Sequence, residues 1–228
     1  MSTSVRRPSI SKRNIVFFQN RILTWFEISG RHYFPWRQKG LSEFQIIIAE
    51  VLLQRTKAET VEKFYLQFIA DFPHWKALAL AEVSVLEERL KPIGLYRQRA
   101  TRIKGLATEM VRVNGQIPAE RAALEKVPML GQYIVNAILL QVFNKRIPLL
   151  DVNMARVLER YFGERTMADI RYDPYLQDLA LKVVDHLHSK ELSWGILDFA
   201  AIICKARKPL CNICPISSSC NFYKKNLY

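Results

Sequence analysis

The chain of 228 residues holds only 8 glycines, has no cysteine before position 204, and has no Asp or Glu in residues 1–20 or 204–228. It also lacks sustained polar–apolar alternation between hairpin turns, which argues against a sheet-based fold and for an all-α protein. No apolar run approaches the roughly 18–20 residues of a membrane span. The longest candidate, Phe44 to Leu53, is interrupted by Gln45 and Glu50. The amino terminus, Met-Ser-Thr-Ser-Val-Arg-Arg-Pro, has no apolar core behind its arginines, so no secretory leader is expected. These absences point to an intracellular, cytoplasmic protein with no membrane partner.

Charge is abundant and lopsided. Lys+Arg number 34 against 21 Asp+Glu, a net +13, and 9 of that excess falls in the 45 residues of the two acid-free ends. Solvated basic tails and a phosphate-bearing partner both fit that distribution. Helical spacing predicts helices near 11–29, 42–55, 58–71, 84–91, 97–113, 119–126, 131–143, 152–162, 173–188 and 192–204. Ser42 with Gln45, and Ser84 with Glu87, have the spacing of capping boxes. His186 and His188, two apart, are expected on different faces of a helix, and the tryptophans mostly in the core.

All four cysteines fall in Cys204-x6-Cys211-x2-Cys214-x5-Cys220. Structural zinc favours two close pairs, and here only the central pair is close. Four thiolates in one short loop are also the full ligand set of a [4Fe–4S] cluster, so an iron–sulfur centre ranks ahead of zinc and disulfides come third. The intervening Lys205, Arg207 and Lys208 would form a basic finger. Separately, Val127-Pro128-Met129-Leu130-Gly131-Gln132-Tyr133 is a Pro-x-x-Gly turn running into a helix. Such a turn either merely joins helices or aims free N–H groups at a phosphate.

Taken together, the hairpin, an acid 18 positions after Tyr133 in Leu149-Leu150-Asp151-Val152-Asn153, and the cysteine series resemble the helix-hairpin-helix DNA glycosylases of the endonuclease III and MutY type. Phe34-Pro35-Trp36-Arg37, Ala49-Glu50-Val51-Leu52-Leu53-Gln54-Arg55-Thr56, Ile93-Gly94-Leu95-Tyr96 and Asp198 to Cys204 extend the resemblance from about Phe17 to Cys220. It looks nearest to the small thymine-DNA mismatch glycosylases. The resemblance implies a two-lobed fold, with residues 37–147 a helical barrel carrying the hairpin, and 1–36 plus 148–228 an iron–sulfur lobe. Asp151, Glu50 and Tyr133 would meet in a cleft between them.

Breaking a base–deoxyribose bond leaves positive charge on the sugar, which a fixed carboxylate stabilises. Asp151 precedes a helix, where N–H groups and the dipole favour its ionised form; an ordinary helix cap is the alternative. Glu50, on an apolar helix, is either a proton or hydrogen-bond donor to the base or a partly exposed, paired surface acid. Tyr133 stands where lyase-type relatives carry Lys and adenine-removing ones usually Ser. It cannot form a Schiff base, so a monofunctional enzyme is expected. The chain runs only eight residues past Cys220, so the further lesion-reading domain of adenine glycosylases is not expected.

The expected substrate is therefore double-stranded DNA with thymine or uracil opposite guanine, and the expected state a monomer. The alternatives are an adenine glycosylase and a non-catalytic iron–sulfur DNA-binding protein. Gln54, Arg55 and Tyr96 occupy family positions that wedge into the duplex or meet the opposite base, with a plain phosphate contact the alternative for Arg55 and a core aromatic the alternative for Tyr96; Gly131 and Gln132 lie at the hairpin, and Arg97 to Lys104 would track a strand. Met129 stands where the family usually has Gly, so strain in the hairpin is expected.

Overall fold

The structure, a computed structural model, describes residues 10–226. The arginine-rich start of the amino-terminal arm lies outside the described residues. Among the described residues twelve α-helices follow in order: α1 (Lys12–Ser29), α2 (Glu43–Leu53), α3 (Ala58–Asp71), α4 (Trp75–Leu80), α5 (Val83–Leu90), α6 (Tyr96–Arg112), α7 (Arg121–Leu124), α8 (Gln132–Gln141), α9 (Val152–Phe162), α10 (Pro174–Val184), α11 (Ser189–Ile202) and α12 (Asn221–Lys225). Single 3-10 turns lie at Pro35–Arg37, Lys91–Ile93, Cys211–Ile213 and Ser217–Ser219. No strand occurs among the described residues, so the fold is all-α. None of these helices is long and apolar enough to cross a membrane.

The chain divides into two compact units, one formed by Met1–Arg31 with Arg146–Tyr228 and the other by His32–Lys145. In the first, α1 packs on α11 and α10. Gln19 donates from Nε2 to the Val183 carbonyl at 2.9 Å, and Arg31 closes on the fully buried Asp198 through Nε, Nη2 and its backbone N–H at 2.7–2.8 Å. Phe18 seats against Tyr161 and Phe162 of α9. Asp173 caps α10 from full burial, accepting from Leu176 N and from Thr166 N, Thr166 Oγ1 and Met167 N of the preceding loop. Burial alone would raise its pKa, but those hydrogen bonds win and hold it down to about 2.

In the second unit α2 lies against α8 and α3, and α4 and α5 lie against α6. Helix α8 is apolar on nearly every face, and Ile134 to Gln141 are all buried, as expected of a helix that is covered on all sides. The core of this unit also includes Ile47, Ile48, Leu52, Leu78, Leu86 and Ile103.

The capping box at Ser42 and Gln45 is present in both directions. The one expected at Ser84 is not: α5 begins at Val83 behind Glu82, and Ser84 lies inside the helix. Helix α4, capped by the His74 side chain, and α12 were not expected, because six and five residues are too few to show a period. Helix α10 stops at Val184, so His186 and His188 leave the helix and their rings lie 5.7 Å apart. Of the tryptophans, Trp36 and Trp75 are core residues, whereas Trp25 and Trp194 are partly exposed.

Candidate active site

Asp151 is the N-cap of α9. Its Oδ1 accepts the backbone N–H groups of Asn153 and Met154, both at 2.8 Å, and its Oδ2 accepts Asn153 Nδ2 at 2.6 Å. The amide of Asn153 is itself held: Oδ1 accepts Arg156 Nη1 at 3.1 Å, while Arg156 Nε and Nη2 donate to the carbonyls of Cys204 and Ala200 at 3.0 Å. A continuous hydrogen-bonded chain thus runs from Asp151 through Asn153 and Arg156 to the first cysteine. Burial raises the Asp151 carboxyl above its ordinary value, against these donors and the Arg156 charge. That reverses the expectation of a simply favoured anion, because loss of water outweighs the cap.

Glu50 lies on α2 and is 4 % exposed, which removes the surface alternative. Its Oε1 accepts Nε2 of the buried Gln141, at the end of α8, at 2.5 Å. Tyr133 is the second residue of α8 and partly exposed. Upstream, Arg121 ties α7 to α8 through Asn136 at 2.6 Å, forming the hairpin. Met129 is exposed and adopts φ 77°, the left-handed backbone that a Cβ disfavours, so the expected strain is present. Gly131 has φ −71° and caps α8 without a side chain, and an added Cβ would meet no heavy atom within 4 Å. Neither backbone angle nor internal packing requires glycine there.

Six described non-glycine residues have positive φ; two are Asn, and the other four are Arg55, Leu95, Met129 and Lys208, every one exposed. All four lie in or beside segments singled out for DNA contact, and such strain persists only where the surrounding structure over-determines it. Leu95, 53 % exposed just before α6, was missed as a candidate in favour of Tyr96, which is only partly exposed; its signal was an apolar residue directly after Gly94 at a turn. Gln54 is the C-cap of α2 and partly exposed. The strand-tracking run needs correction: Arg99 is buried and Lys104 donates to the Ala81 carbonyl at 2.7 Å, so only Arg97 and Arg102 of its cations stay exposed.

Cys204, Cys211, Cys214 and Cys220 are free thiols lining one recess of about 370 Å³, open solvent at its mouth included, with Tyr161, Phe199, Ile216 and Phe222 among its walls. No group of three His, Cys, Asp or Glu among the described residues converges as one metal ion would require. Sulfurs that ring a recess fit a cluster, in which each thiolate binds its own iron. Burial pushes the Cys214 thiol up to about 11 and raises Cys211 and Cys220, so a cationic centre is what would keep them as thiolates. Arg160 Nη1 reaches Cys204 Sγ at 3.5 Å and the Lys205 carbonyl at 2.7 Å, and its Nη2 reaches the Ala206 carbonyl at 3.0 Å. Its guanidinium also lies over the Phe222 ring. It thereby shapes the loop on which Lys205, Arg207 and Lys208 stand exposed.

Residues 48–173 match the HhH-GPD superfamily base excision DNA repair proteins, and residues 204–220 match the iron-sulfur binding domain of endonuclease III. The chain belongs to the HhH-GPD superfamily. Its cofactor is a [4Fe–4S] cluster, and the matched iron–sulfur segment begins and ends on a cysteine. Among relatives, it is 37% identical to a thymine/uracil-DNA glycosylase of Pyrobaculum aerophilum, over 91% of this chain and 92% of the relative. It is 34% identical to a thymine-DNA glycosylase of Aeropyrum pernix, over 95% and 99%. A solved thermostable thymine-DNA glycosylase superposes with a TM-score of 0.86 at 33% identity, over 93% of this chain and 98% of that one.

Proposed function

We propose that this HhH-GPD protein is a monofunctional DNA N-glycosylase that removes thymine or uracil mispaired with guanine from double-stranded DNA and leaves an abasic site. The observation that carries the chemistry is Asp151, a carboxylate fixed by three hydrogen bonds and partly dehydrated. As the base leaves, that carboxylate stabilises the positive charge on the sugar. The choice of base rests on the relatives at 34–37% identity, which are thymine or thymine/uracil glycosylases over more than nine-tenths of both chains.

The remaining residues take their parts in order. The N–H groups at the start of α8, with Gly131 and Gln132, hold a backbone phosphate; the missing Cβ at Gly131 lets it approach. Gln54, Arg55, Leu95 and Tyr96 meet the duplex and fill the gap left by the everted nucleotide. Lys205, Arg207 and Lys208 neutralise phosphates. Glu50, its carboxyl held by Gln141, hydrogen-bonds the departing base and manages its proton. Tyr133 offers a phenol and no amine, so the sugar is not captured as an imine and the strand is left uncut. Cys204, Cys211, Cys214 and Cys220 would hold the cluster through their thiolates. The cluster, when bound, cross-links the basic loop and can exchange an electron.

Incubation of iron-loaded protein with duplexes carrying G·T, G·U, G·A or oxidised G·A, followed by alkali, tests this. Alkali-dependent cleavage at T and U is expected. Cleavage at A alone, or none on any duplex, overturns the reading.

A further inference from the structure

Arg99 is a buried cation whose side-chain hydrogen bonds all go to neutral oxygens. Its Nε donates to the Gly94 carbonyl at 3.0 Å. Its Nη1 donates to the carbonyls of Val51 at 3.4 Å and Leu52 at 3.2 Å, and its Nη2 to the Gln54 carbonyl at 2.5 Å and Thr56 Oγ1 at 2.6 Å. A guanidinium has five N–H donors, and here five oxygens receive them. Three of those oxygens are carbonyls at the C-terminal end of α2, where the helix leaves acceptors unpaired and its dipole favours a cation. Capping alone does not account for the remaining bonds. They reach two separate loops, and Thr56 Oγ1 also touches the Ile93 carbonyl at 3.4 Å.

Each of those loops presents an exposed residue in the left-handed conformation: Arg55 at φ 56° beside Gln54, and Leu95 at φ 49° beside Gly94. A strained residue at a loop tip relaxes unless its surroundings over-determine it. Arg99 supplies that determination for both tips from one rigid planar group. Lysine, a point charge with three donors on a flexible stem, could not reproduce the fork.

We infer that Arg99 is a positioning residue for base eversion: it locks the Gln54–Thr56 and Gly94–Tyr96 loops into one stiff edge, so that pressing the duplex against it opens the base pair instead of bending the loops. The inference rests on the glycosylase reading above. It separates opening the helix from breaking the glycosidic bond, because Arg99 touches neither base nor sugar in its buried position.

The test compares wild type with Arg99→Lys in single-turnover release of uracil from two duplexes, one with uracil opposite guanine and one with uracil opposite an abasic-site analogue, where no pair must be opened. Release opposite guanine is expected to fall about tenfold to a hundredfold, with release opposite the abasic analogue within about threefold of wild type. Equal losses on both duplexes would show a structural role alone, and no loss on either would show no role; both overturn the inference. Should Arg99→Lys lose its helical circular dichroism, Thr56→Val, which removes one acceptor, carries the test: a smaller loss confined to the guanine duplex supports the inference, and an even loss or none refutes it. If wild type releases uracil from neither duplex, the glycosylase reading fails first; if wild type is active and the variants show no selectivity, only the role of Arg99 falls.

Discussion

Replacing Asp151 by Asn separates catalysis from capping because the two oxygens of the carboxylate do different work. Oδ1 takes both helix N–H groups, and an amide oxygen accepts them equally well. Oδ2 faces Asn153 Nδ2 at 2.6 Å, so an Asn would set two NH₂ groups against each other, a loss of about 1–3 kcal/mol. Against that, burial raises the Asp151 pKa, and removing the carboxylate removes the penalty of holding a dehydrated anion at neutral pH. The two effects oppose, leaving a net change within about 1 kcal/mol, or about 2–4 °C for a chain of this length. Asp151→Ala strips the cap as well and should cost about 0.5–2 kcal/mol more. With the raised pKa, the folded state binds the proton more tightly than the unfolded state. Stability from this group is therefore fully present below the ordinary carboxylate value and falls as pH rises through the folded value. The relief from the Asn substitution should accordingly be seen at neutral pH and vanish in acid. Single-turnover release of thymine from a G·T duplex should fall by about 10²–10³-fold in both variants. Scanning calorimetry across pH supplies the stabilities. An Asn variant that keeps more than a tenth of the wild-type rate, or that is destabilised as much as the Ala variant, refutes this account.

Other outcomes follow from single contacts. Asp173→Asn should destabilise the protein by about 2–4 kcal/mol at neutral pH by calorimetry; because its pKa is held down to about 2, wild type should lose this advantage as pH falls from the ordinary carboxylate range toward that value. Met129→Gly relieves the left-handed backbone at φ 77° and should raise stability by up to about 1 kcal/mol in thermal melts, net of the entropy of glycine. Gly131→Ala should leave the melting temperature nearly unchanged, since the Cβ meets nothing, yet weaken duplex binding measured by anisotropy. Tyr133→Lys should bring borohydride-trapped protein–DNA adducts that wild type does not form.

Helix type and order were legible because the longer helices carry an apolar stripe or an N-terminal cap, as at Ser42. The short α4 has only its His74 cap and no room for a period. Arg99 illustrates a deeper limit. Beside Arg97, Arg102 and Lys104 it read as one cation of a surface run, because a sequence shows charge spacing and not which face of α6 turns inward. Glu50 could be read from its apolar neighbours, but not its partner Gln141, which lies 91 residues away. Asp151 was singled out by its spacing from Tyr133 in the family pattern, since its place before a helix fits an ordinary cap equally well, and the direction of its pKa depends on packing that no local pattern records.

The first unit takes its helices from both ends of the chain, which fixes the order in which synthesis can complete the protein. Helix α1 and Arg31 just after it leave the ribosome first, but their hydrogen-bond partners Tyr161, Val183 and Asp198 follow 147 to 167 residues later. The continuous segment His32–Lys145 has all its own contacts available well before then. That unit is expected to close first on the nascent chain, while Phe18, Ile22 and Phe26 wait with their apolar faces uncovered. A truncated chain ending before α11 should therefore hold a folded middle and a sticky amino terminus, the form of this protein most exposed to aggregation and most in need of a chaperone.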